Sequence, residues 1–260
     1  MSELSDVQKE NDQRNIRIRK VGVRSLRYPI RVLDRSSGHQ HTIASVSMYV
    51  DLPHNDRGTH MSRFVEVLER HTVKLWPGDL DEILCDMLES FECDTAHIDI
   101  SFPYFIRKAA PVSGTAGMME YTCGLSAWRD GRLNLRHYLE VPVNNLCPCS
   151  KEISEHGAHN QRGTIKIDVK TRHFIWYEEL IDIAEASASS PLYTTLKRTD
   201  EKYVTEHAYA NPRFVEDAAR EVVLRLRKDG RIEEFRVEVE NFESIHNHNA
   251  YACITSSDVD

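Results

Sequence analysis

The chain of 260 residues lacks any run of about 18 apolar residues, the length that a membrane-spanning helix requires. Residues 1–20 are polar and contain no apolar segment of the kind found in secretory signals. We therefore expect a cytoplasmic protein whose six cysteines are reduced. The chain also has no GxxxxGK(S/T) loop and no GxGxxG after a predicted strand, so kinase and dehydrogenase functions have little support.

Positive charge is scarce as well, with 33 Lys and Arg against 41 Asp and Glu and a net charge of −8 at pH 7. Proteins that bind duplex nucleic acid usually carry a basic excess, so this class of function is disfavoured. A phosphorylated small molecule stays compatible with the composition, because it needs only a local basic cluster. Four of the cysteines lie in apolar or strand-like contexts, where we expect small buried side chains. They are Cys85, Cys93, Cys123 and Cys253.

The first half of the chain passes from strand patterns to helix patterns and back. Residues 1–16 are charged without apolar periodicity, and we expect a flexible or loosely docked arm. Alternating apolar and polar residues at 21–32 and 42–52 predict a β-hairpin. Apolar residues at helical spacing predict helices at 61–72 and 80–91. Three strands are then predicted at 97–106, 118–128 and 133–143.

The second half repeats this order after a turn-rich segment at 144–163. The predicted elements are a strand at 164–169, helices at 177–187 and 212–227, and strands at 231–240 and 250–255. The tetrapeptide Arg-Phe-Val-Glu occurs at 63–66 and again at 213–216, which indicates an internal duplication. We predict an α+β fold of two tandem modules, 17–115 and 116–260, each an antiparallel sheet with helices on one face. Assembly into a ring of subunits would cover the open sheet edges.

The densest group of reactive side chains lies in the turn-rich segment. It contains Cys147, Cys149, His156 and His159. One thiolate with one or two histidines would form a catalytic type of metal site that keeps a coordination position open. The alternative is a turn-rich loop whose cysteines and histidines have no common function.

A second group follows the strand predicted at 231–240. It contains Glu243, His246 and His248. If the strand continued, the two alternating histidines would project to one face. That placement suits a metal ligand beside a proton shuttle, whereas the alternative is a polar surface.

Two helix starts and a charged segment supply further candidates. Lys197, Arg198 and Lys202 are suited to phosphates and Glu201 to a metal ion, although the segment is also typical of a solvated loop. Glu216 stands in the first turn of a predicted helix, where it either favours the helix dipole or accepts two hydrogen bonds from guanine. Arg63 lies at another helix start, which is suited to an anion but also explained by plain capping.

These segments resemble GTP cyclohydrolase type IB, in the expected order and over almost the whole chain. The matching runs are GTHMSRF (58–64), PVSG (111–114), LCPCSKEIS with GAHNQR (146–162), RTDEKYVTE (198–206), NPRFVED (211–217) and NFESIHNHNAY (241–251). The resemblance implies a tunnelling fold that assembles as a homotetrameric barrel. It also implies conversion of GTP to 7,8-dihydroneopterin triphosphate and formate, the first step of folate synthesis, with zinc, manganese or iron(II) as the divalent metal.

The resemblance also implies roles for individual residues. The metal ligands would be Cys147, His159 and Glu201, with Glu243 and His248 in or next to the ligand set. His246 would shuttle protons beside the catalytic Cys147, His159 and His248. Glu216 would anchor the guanine, and the triphosphate would contact Arg63, Lys197, Arg198 and Lys202.

Three other interpretations stay open at this point. One is another tunnelling-fold enzyme that acts on a purine or pterin. Within the resembled family, archaeal relatives make a cyclic phosphate product, so the product is also open. A second alternative is a protein that binds a metal or nucleotide without catalysis. A closed structural zinc site would have four protein ligands and no open position.

Overall fold

The computed structural model describes residues 7–71 and 77–259. These residues form two compact units. The first extends to Phe102 and also includes Gly124–Arg136, and the second comprises Pro103–Cys123 and the residues from His137 onward. The predicted modules, 17–115 and 116–260, do not coincide with these units, because the units divide the chain at other residues. The division into modules therefore stays a prediction.

The first unit contains strands and helices in the predicted order. Its elements are a 3-10 turn (Val7–Lys9), β1 (Ile18–Asp34), β2 (Gly38–Leu52), α1 (Met61–Arg70), α2 (Pro77–Phe91) and β3 (Ala96–Ala109) as far as Phe102. The end of β4 (Ala116–Arg129) and the start of β5 (Leu133–Leu146) also belong to it. β1 pairs with β2 and β2 with β3, both antiparallel, so the predicted hairpin is confirmed.

The core of the first unit lies between this sheet and the two helices. Alternate strand residues such as Val46 and Met48 are buried, and α1 buries Phe64 and Leu68. The rings of Phe64 and Phe91 stack with 4.2 Å between their centroids. Both predicted helices are confirmed, although α1 ends at Arg70 and the predicted last residue, Thr72, lies outside the described residues.

The predicted N-terminal arm is docked where the structure describes it. The backbone N–H of Gly58 donates to the carbonyl of Gln8 over 3.2 Å, and that of Arg57 donates to the carbonyl of Glu10 over 3.2 Å. Asp12 in turn donates its N–H to the carbonyl of Asn55 over 2.9 Å. Residues 1–6 of the arm lie outside the described residues.

The second unit carries most of the elements around the candidate site. They are the remainder of β3, β4 and β5, then α3 (Pro148–Ile153), β6 (Asn160–Thr171), α4 (Tyr177–Glu185), β7 (Ser190–Pro191), α5 (Arg198–Ala210), α6 (Val215–Leu226), β8 (Ile232–Asn241) and β9 (Ala250–Thr255). Its strands are ordered β3-β4-β5-β6-β8-β9, and β7 pairs with β5. β8 lies antiparallel to both β6 and β9, and α6 packs on β8 and β9. Sheet and helix share the buried residues Ile165, Ile167, Val222, Val237 and Val239.

Two helices were not predicted by the sequence pattern. α5 buries only Asp200 and Ala208, so it has no apolar stripe from which a helix could be recognised. α3 has no buried residue and lies in the segment predicted as turns. The helix predicted at 212–227 begins at Val215 instead, because Phe214 has an extended backbone (φ −74°, ψ 165°).

The expectation for the four scattered cysteines was partly wrong. Cys123 is buried, but Cys85 and Cys253 are exposed and Cys93 is intermediate. Cys85 lies in α2 and Cys253 in β9, and both side chains face solvent. Among the described residues, no helix combines the length and apolar character needed to span a membrane.

Candidate functional site

Cys147 follows β5 and caps the short helix α3. Its backbone is extended (φ −69°, ψ 118°), and Pro148 occupies the first helical position, which its ring geometry favours. The Cys147 Sγ accepts a hydrogen bond from the backbone N–H of Ser150 over 3.4 Å. The Ser150 hydroxyl donates back to the Cys147 carbonyl over 3.1 Å. The sequence Cys-Pro-Cys-Ser therefore fixes the thiol at a helix start.

His159 lies against the same turn. The Cys147 N–H donates to the His159 carbonyl over 3.1 Å, and the His159 N–H donates to the Ser150 hydroxyl over 3.2 Å. The His159 Nδ1 lies 3.0 Å from the Oε1 of Gln161. The structure thus joins the backbones of Cys147 and His159, two of the residues that the sequence singled out.

The loop after β8 runs beside His159. The N–H of Phe242 donates to the carbonyl of Arg162 over 2.9 Å, which ties the loop to the start of β6. The Ser244 hydroxyl lies 3.4 Å from the His159 Nδ1, and the Gln161 Nε2 donates to the Glu243 Oε1 over 3.4 Å. Glu243 is therefore connected to His159 through an amide.

Beneath these loops, a buried pair of asparagines joins β5 to β8. The Asn145 Nδ2 donates to the Asn241 Oδ1 over 2.8 Å, and both side chains are buried. The Asn145 Oδ1 accepts from the Ser189 N–H over 3.1 Å. A Cβ on Gly163 would lie 2.5 Å from the Asn241 Oδ1, so this close approach requires glycine.

We expect Gly163→Ala to lower the free energy of unfolding by about 1–3 kcal/mol, the usual cost of overpacking. The added methyl group would collide with the Asn241 side chain and with the backbone oxygen of Glu240 at 2.7 Å. Urea denaturation of both proteins measures the difference. Gly230→Ala is the matched control, since no described atom beyond Gly230 and its two chain neighbours lies within 4 Å of the position its Cβ would take. Equal effects of the two substitutions would contradict this packing.

α5 displays the predicted cationic residues on its first turns. Arg198, Glu201 and Lys202 are exposed, and Lys202 pairs with Glu206 of the same helix. Lys197 is the N-cap residue. The structure does not bring Glu201 to Cys147 and His159 within one metal-ligand group of the described residues.

Asp200 is a site-supporting residue that the sequence reasoning missed. Its fully buried carboxylate accepts hydrogen bonds from the N–H of Val112 (2.9 Å), from the N–H and hydroxyl of Ser113 (2.8 and 2.7 Å) and from the N–H of Lys197 (2.8 Å). Burial alone would raise the pKa of Asp200, but these hydrogen bonds outweigh it and hold the pKa well below its ordinary value. Asp200 thereby fastens the start of α5 to the 110–115 turn.

Glu216 is exposed in the first turn of α6. The helix start is tied to the end of β5, because the Arg213 N–H donates to the Leu146 carbonyl over 3.0 Å. Leu146 directly precedes Cys147, so this hydrogen bond joins the segment before Glu216 to the segment before Cys147.

The two histidines of the last motif lie in a loop rather than in a strand. β8 ends at Asn241, and β9 begins only at Ala250. The expectation based on strand alternation does not apply here, because the buried Asn241 ends the regular pairing. The exposed rings of His246 and His248 nevertheless stack, with centroids 5.2 Å apart and planes inclined by 19°.

Arg63 belongs to the first unit. Its Nη1 donates to the Ser90 carbonyl over 3.2 Å. It lines a cavity of about 110 Å³ together with Thr59, Asp51 and Glu92. The contact between Arg63 and a triphosphate stays a prediction.

The donor chemistry at Cys147 and His159 fits part of a metal site. A thiol and an imidazole are ligands that zinc and related ions accept, and a histidine ligand usually hydrogen-bonds through its other ring nitrogen, as His159 does here. Across residues 7–71 and 77–259, however, no group of three or more His, Cys, Asp or Glu side chains is arranged to hold one ion. Within the described residues, Cys147 and His159 are thus two side chains whose chemistry suits a metal ion, and they do not form a complete site.

Sequence comparison finds the same family along nearly the entire chain. A family model described as type I GTP cyclohydrolase folE2 matches residues 4–252. The GTP cyclohydrolase FolE2 of Desulfosudis oleivorans is 53% identical over 254 residues, covering 97% of this chain and 98% of that protein. The protein of the same name from Thermotoga maritima is 51% identical over 255 residues, covering 98% of each chain.

Solved structures show the fold at much lower sequence identity. The uricase of Arthrobacter globiformis matches with a TM-score of 0.54 at 8% identity, covering 91% of this chain and 92% of that chain. A uricase from Bacillus fastidious matches with a TM-score of 0.56 at 8% identity, covering 93% and 94%. These likenesses establish the predicted tunnelling fold of antiparallel sheet and helices, and at this identity they bear on the fold alone.

Proposed function

Because the chain belongs to the type I GTP cyclohydrolase FolE2 family, we propose that it converts GTP and water to 7,8-dihydroneopterin triphosphate and formate. This reaction is the first step of tetrahydrofolate biosynthesis. The observation that carries the proposal is the family match over residues 4–252. It is supported by the hydrogen bonds that hold Cys147 beside His159.

Metal dependence is consistent with this family, and we propose a divalent zinc, manganese or iron(II) ion held by Cys147 and His159. Held by these residues, the ion would supply a water of lowered pKa as the nucleophile for opening the purine ring at C8. Glu201 and His248 are the proposed additional ligands, and the mixture of sulfur, nitrogen and oxygen donors suits more than one metal. Glu243 is proposed in or next to the ligand set, and the hydrogen bond that it accepts from the Gln161 Nε2 over 3.4 Å supports this proposal.

Ring opening, formate release and the subsequent rearrangement all transfer protons. Histidine titrates near neutral pH and is suited to such transfers. In the proposal, His246 shuttles protons, with His248 stacked against it. Their loop also contains Ser244, whose hydroxyl lies 3.4 Å from the His159 Nδ1, so the proposed shuttle and His159 belong to neighbouring segments.

Substrate recognition is assigned to the exposed charged residues at two helix starts. The Glu216 carboxylate would accept hydrogen bonds from the N1–H and the 2-amino group of guanine. Lys197, Arg198 and Lys202 would bind the triphosphate at the start of α5, where a helix favours anions. Arg63 is the proposed additional triphosphate contact.

We also propose a homotetramer in which neighbouring subunits complete the site. Ile153 at the end of α3 is 84% exposed, and Ile245 in the loop beside His159 is 66% exposed. Phe242 in the same loop is exposed as well. A contiguous exposed apolar patch commonly marks an interface, and Phe242 and Ile245 belong to one loop.

The direct test is incubation of the metal-loaded protein with GTP. We expect formate release together with a product that becomes fluorescent neopterin after oxidation. Both products should disappear when the metal is removed and return with zinc, manganese or iron(II). Formate without neopterin would mean ring opening to a different product, such as a cyclic phosphate. The absence of both products with every metal would favour a protein that only binds metal or nucleotide.

A further inference from the structure

Gln161 is a buried polar residue next to the candidate site, with 6% of its surface exposed. Its side chain faces two partners from two different segments. The Oε1 lies 3.0 Å from the His159 Nδ1, and the Nε2 lies 3.4 Å from the Glu243 Oε1.

The chemistry of the three groups determines which atom carries each proton. An ionised carboxylate only accepts hydrogen bonds, so Glu243 must face the amide nitrogen of Gln161. The amide oxygen is then directed at His159 and can only accept, so the His159 Nδ1 must carry a hydrogen. In a neutral imidazole this leaves the Nε2 with its lone pair free. Burial of Gln161 excludes most of the water that could replace either bond.

We propose that Gln161 is a positioning residue that holds His159 in the Nδ1–H tautomer, with Glu243 acting through it. This arrangement keeps the His159 Nε2 free as a ligand or base, and that consequence rests on the proposed function. Ser244 alone does not impose the same tautomer, because its hydroxyl, 3.4 Å from the Nδ1, can donate as well as accept. The amide oxygen of Gln161 is therefore the group that selects the Nδ1–H tautomer of His159.

Two substitutions of similar size separate tautomer selection from packing. Gln161→Leu removes both hydrogen bonds, so the Nδ1–H tautomer loses its acceptor. Gln161→Glu keeps an oxygen acceptor for the Nδ1–H while it loses the donor to Glu243. We therefore expect the leucine variant to populate both tautomers and the glutamate variant to retain the Nδ1–H form.

The measurement is a long-range ¹H–¹⁵N correlation spectrum of the metal-free protein with ¹⁵N-labelled histidine, at a pH near 8.5 where an ordinary imidazole is neutral. A His159→Gln variant assigns the signals. Gln40→Leu is the matched control, because the Gln40 Nε2 also donates to a carboxylate, that of Asp34, over 2.9 Å in the first unit. It should leave the His159 signals unchanged.

Titration with cobalt(II) provides a second readout. Loss of a group that orients a histidine ligand typically weakens metal binding by about 10- to 100-fold, which we expect for Gln161→Leu and not for Gln40→Leu. An Nε2–H tautomer in the unsubstituted protein, or an unchanged spectrum in the leucine variant, would overturn the inference. If Gln161 selects the tautomer but the protein does not turn over GTP, the inference about Gln161 stands and only the proposed reaction is contradicted.

Discussion

Cys147→Ala is expected to abolish formate release from GTP while leaving the protein folded. The substitution removes the only sulfur that is hydrogen-bonded into the turn beside His159 in the part of the chain that is described. Loss of an outer partner of a metal ligand already costs about 10- to 100-fold, so loss of the ligand itself should exceed about 100-fold. Formate release at saturating metal measures the effect, and circular dichroism checks the fold.

Two further cysteine variants make this result specific. Cys147→Ser keeps an oxygen that can accept the Ser150 N–H as an N-cap, so it should preserve α3 but still lack activity. Cys149→Ala is the matched control, because Cys149 is an exposed thiol in the same helix, two residues from Cys147. Activity in Cys147→Ala would refute the metal-ligand role. Equal losses in Cys147→Ala and Cys149→Ala would point to the helix instead of the thiol.

The strands and the helices of the first unit were predictable because burial follows local periodicity there. Val46, Met48 and Val50 alternate with more exposed neighbours along β2, and Phe64 and Leu68 recur at helical spacing in α1. The helix α5 could not be predicted in this way. Its position depends on the Asp200 carboxylate, whose partner Ser113 is 87 residues away in the chain. Neither RTDEKYVTE nor PVSG alone indicates that hydrogen bond.

The candidate site was predictable only where its parts are close in sequence. Cys147 and His159 belong to one motif, and the backbone joins them directly. The connection of Glu243 to His159 depends on the pairing of β6 with β8 and on the orientation of one amide, that of Gln161. Residue types alone do not specify an amide orientation, so the sequence could propose Glu243 only as a ligand or a neighbour of the ligands.

Stability should fall in mildly acidic solution because of His137 in the second unit. This side chain is buried, its Nδ1 has no hydrogen-bond partner in the described structure, and its ring lies edge-on to that of Tyr177 with 5.7 Å between centroids. Burial lowers the pKa of His137 to about 4 from an ordinary value of 6.5. The unfolded chain therefore takes up a proton at a higher pH than the folded chain does.

The sign and size of the effect follow from proton linkage. Between pH 6.5 and about 4 the unfolded state binds more protons, so the free energy of unfolding decreases as the pH falls through this window. A shift of this size corresponds to about 3 kcal/mol, at 1.36 kcal/mol for each pH unit. Below about pH 4 both states are protonated at this site, and its contribution to the slope ends.

Urea denaturation at intervals from pH 7.5 to 4 would measure this dependence in the unsubstituted protein and in His137→Leu. The variant should lose most of the slope, although His97 retains part of it because burial lowers the pKa of that residue as well. His173→Leu is the matched control, since His173 is exposed and its removal should leave the slope intact. An unchanged slope in His137→Leu would mean that His137 takes up its proton in the folded protein as readily as in the unfolded chain.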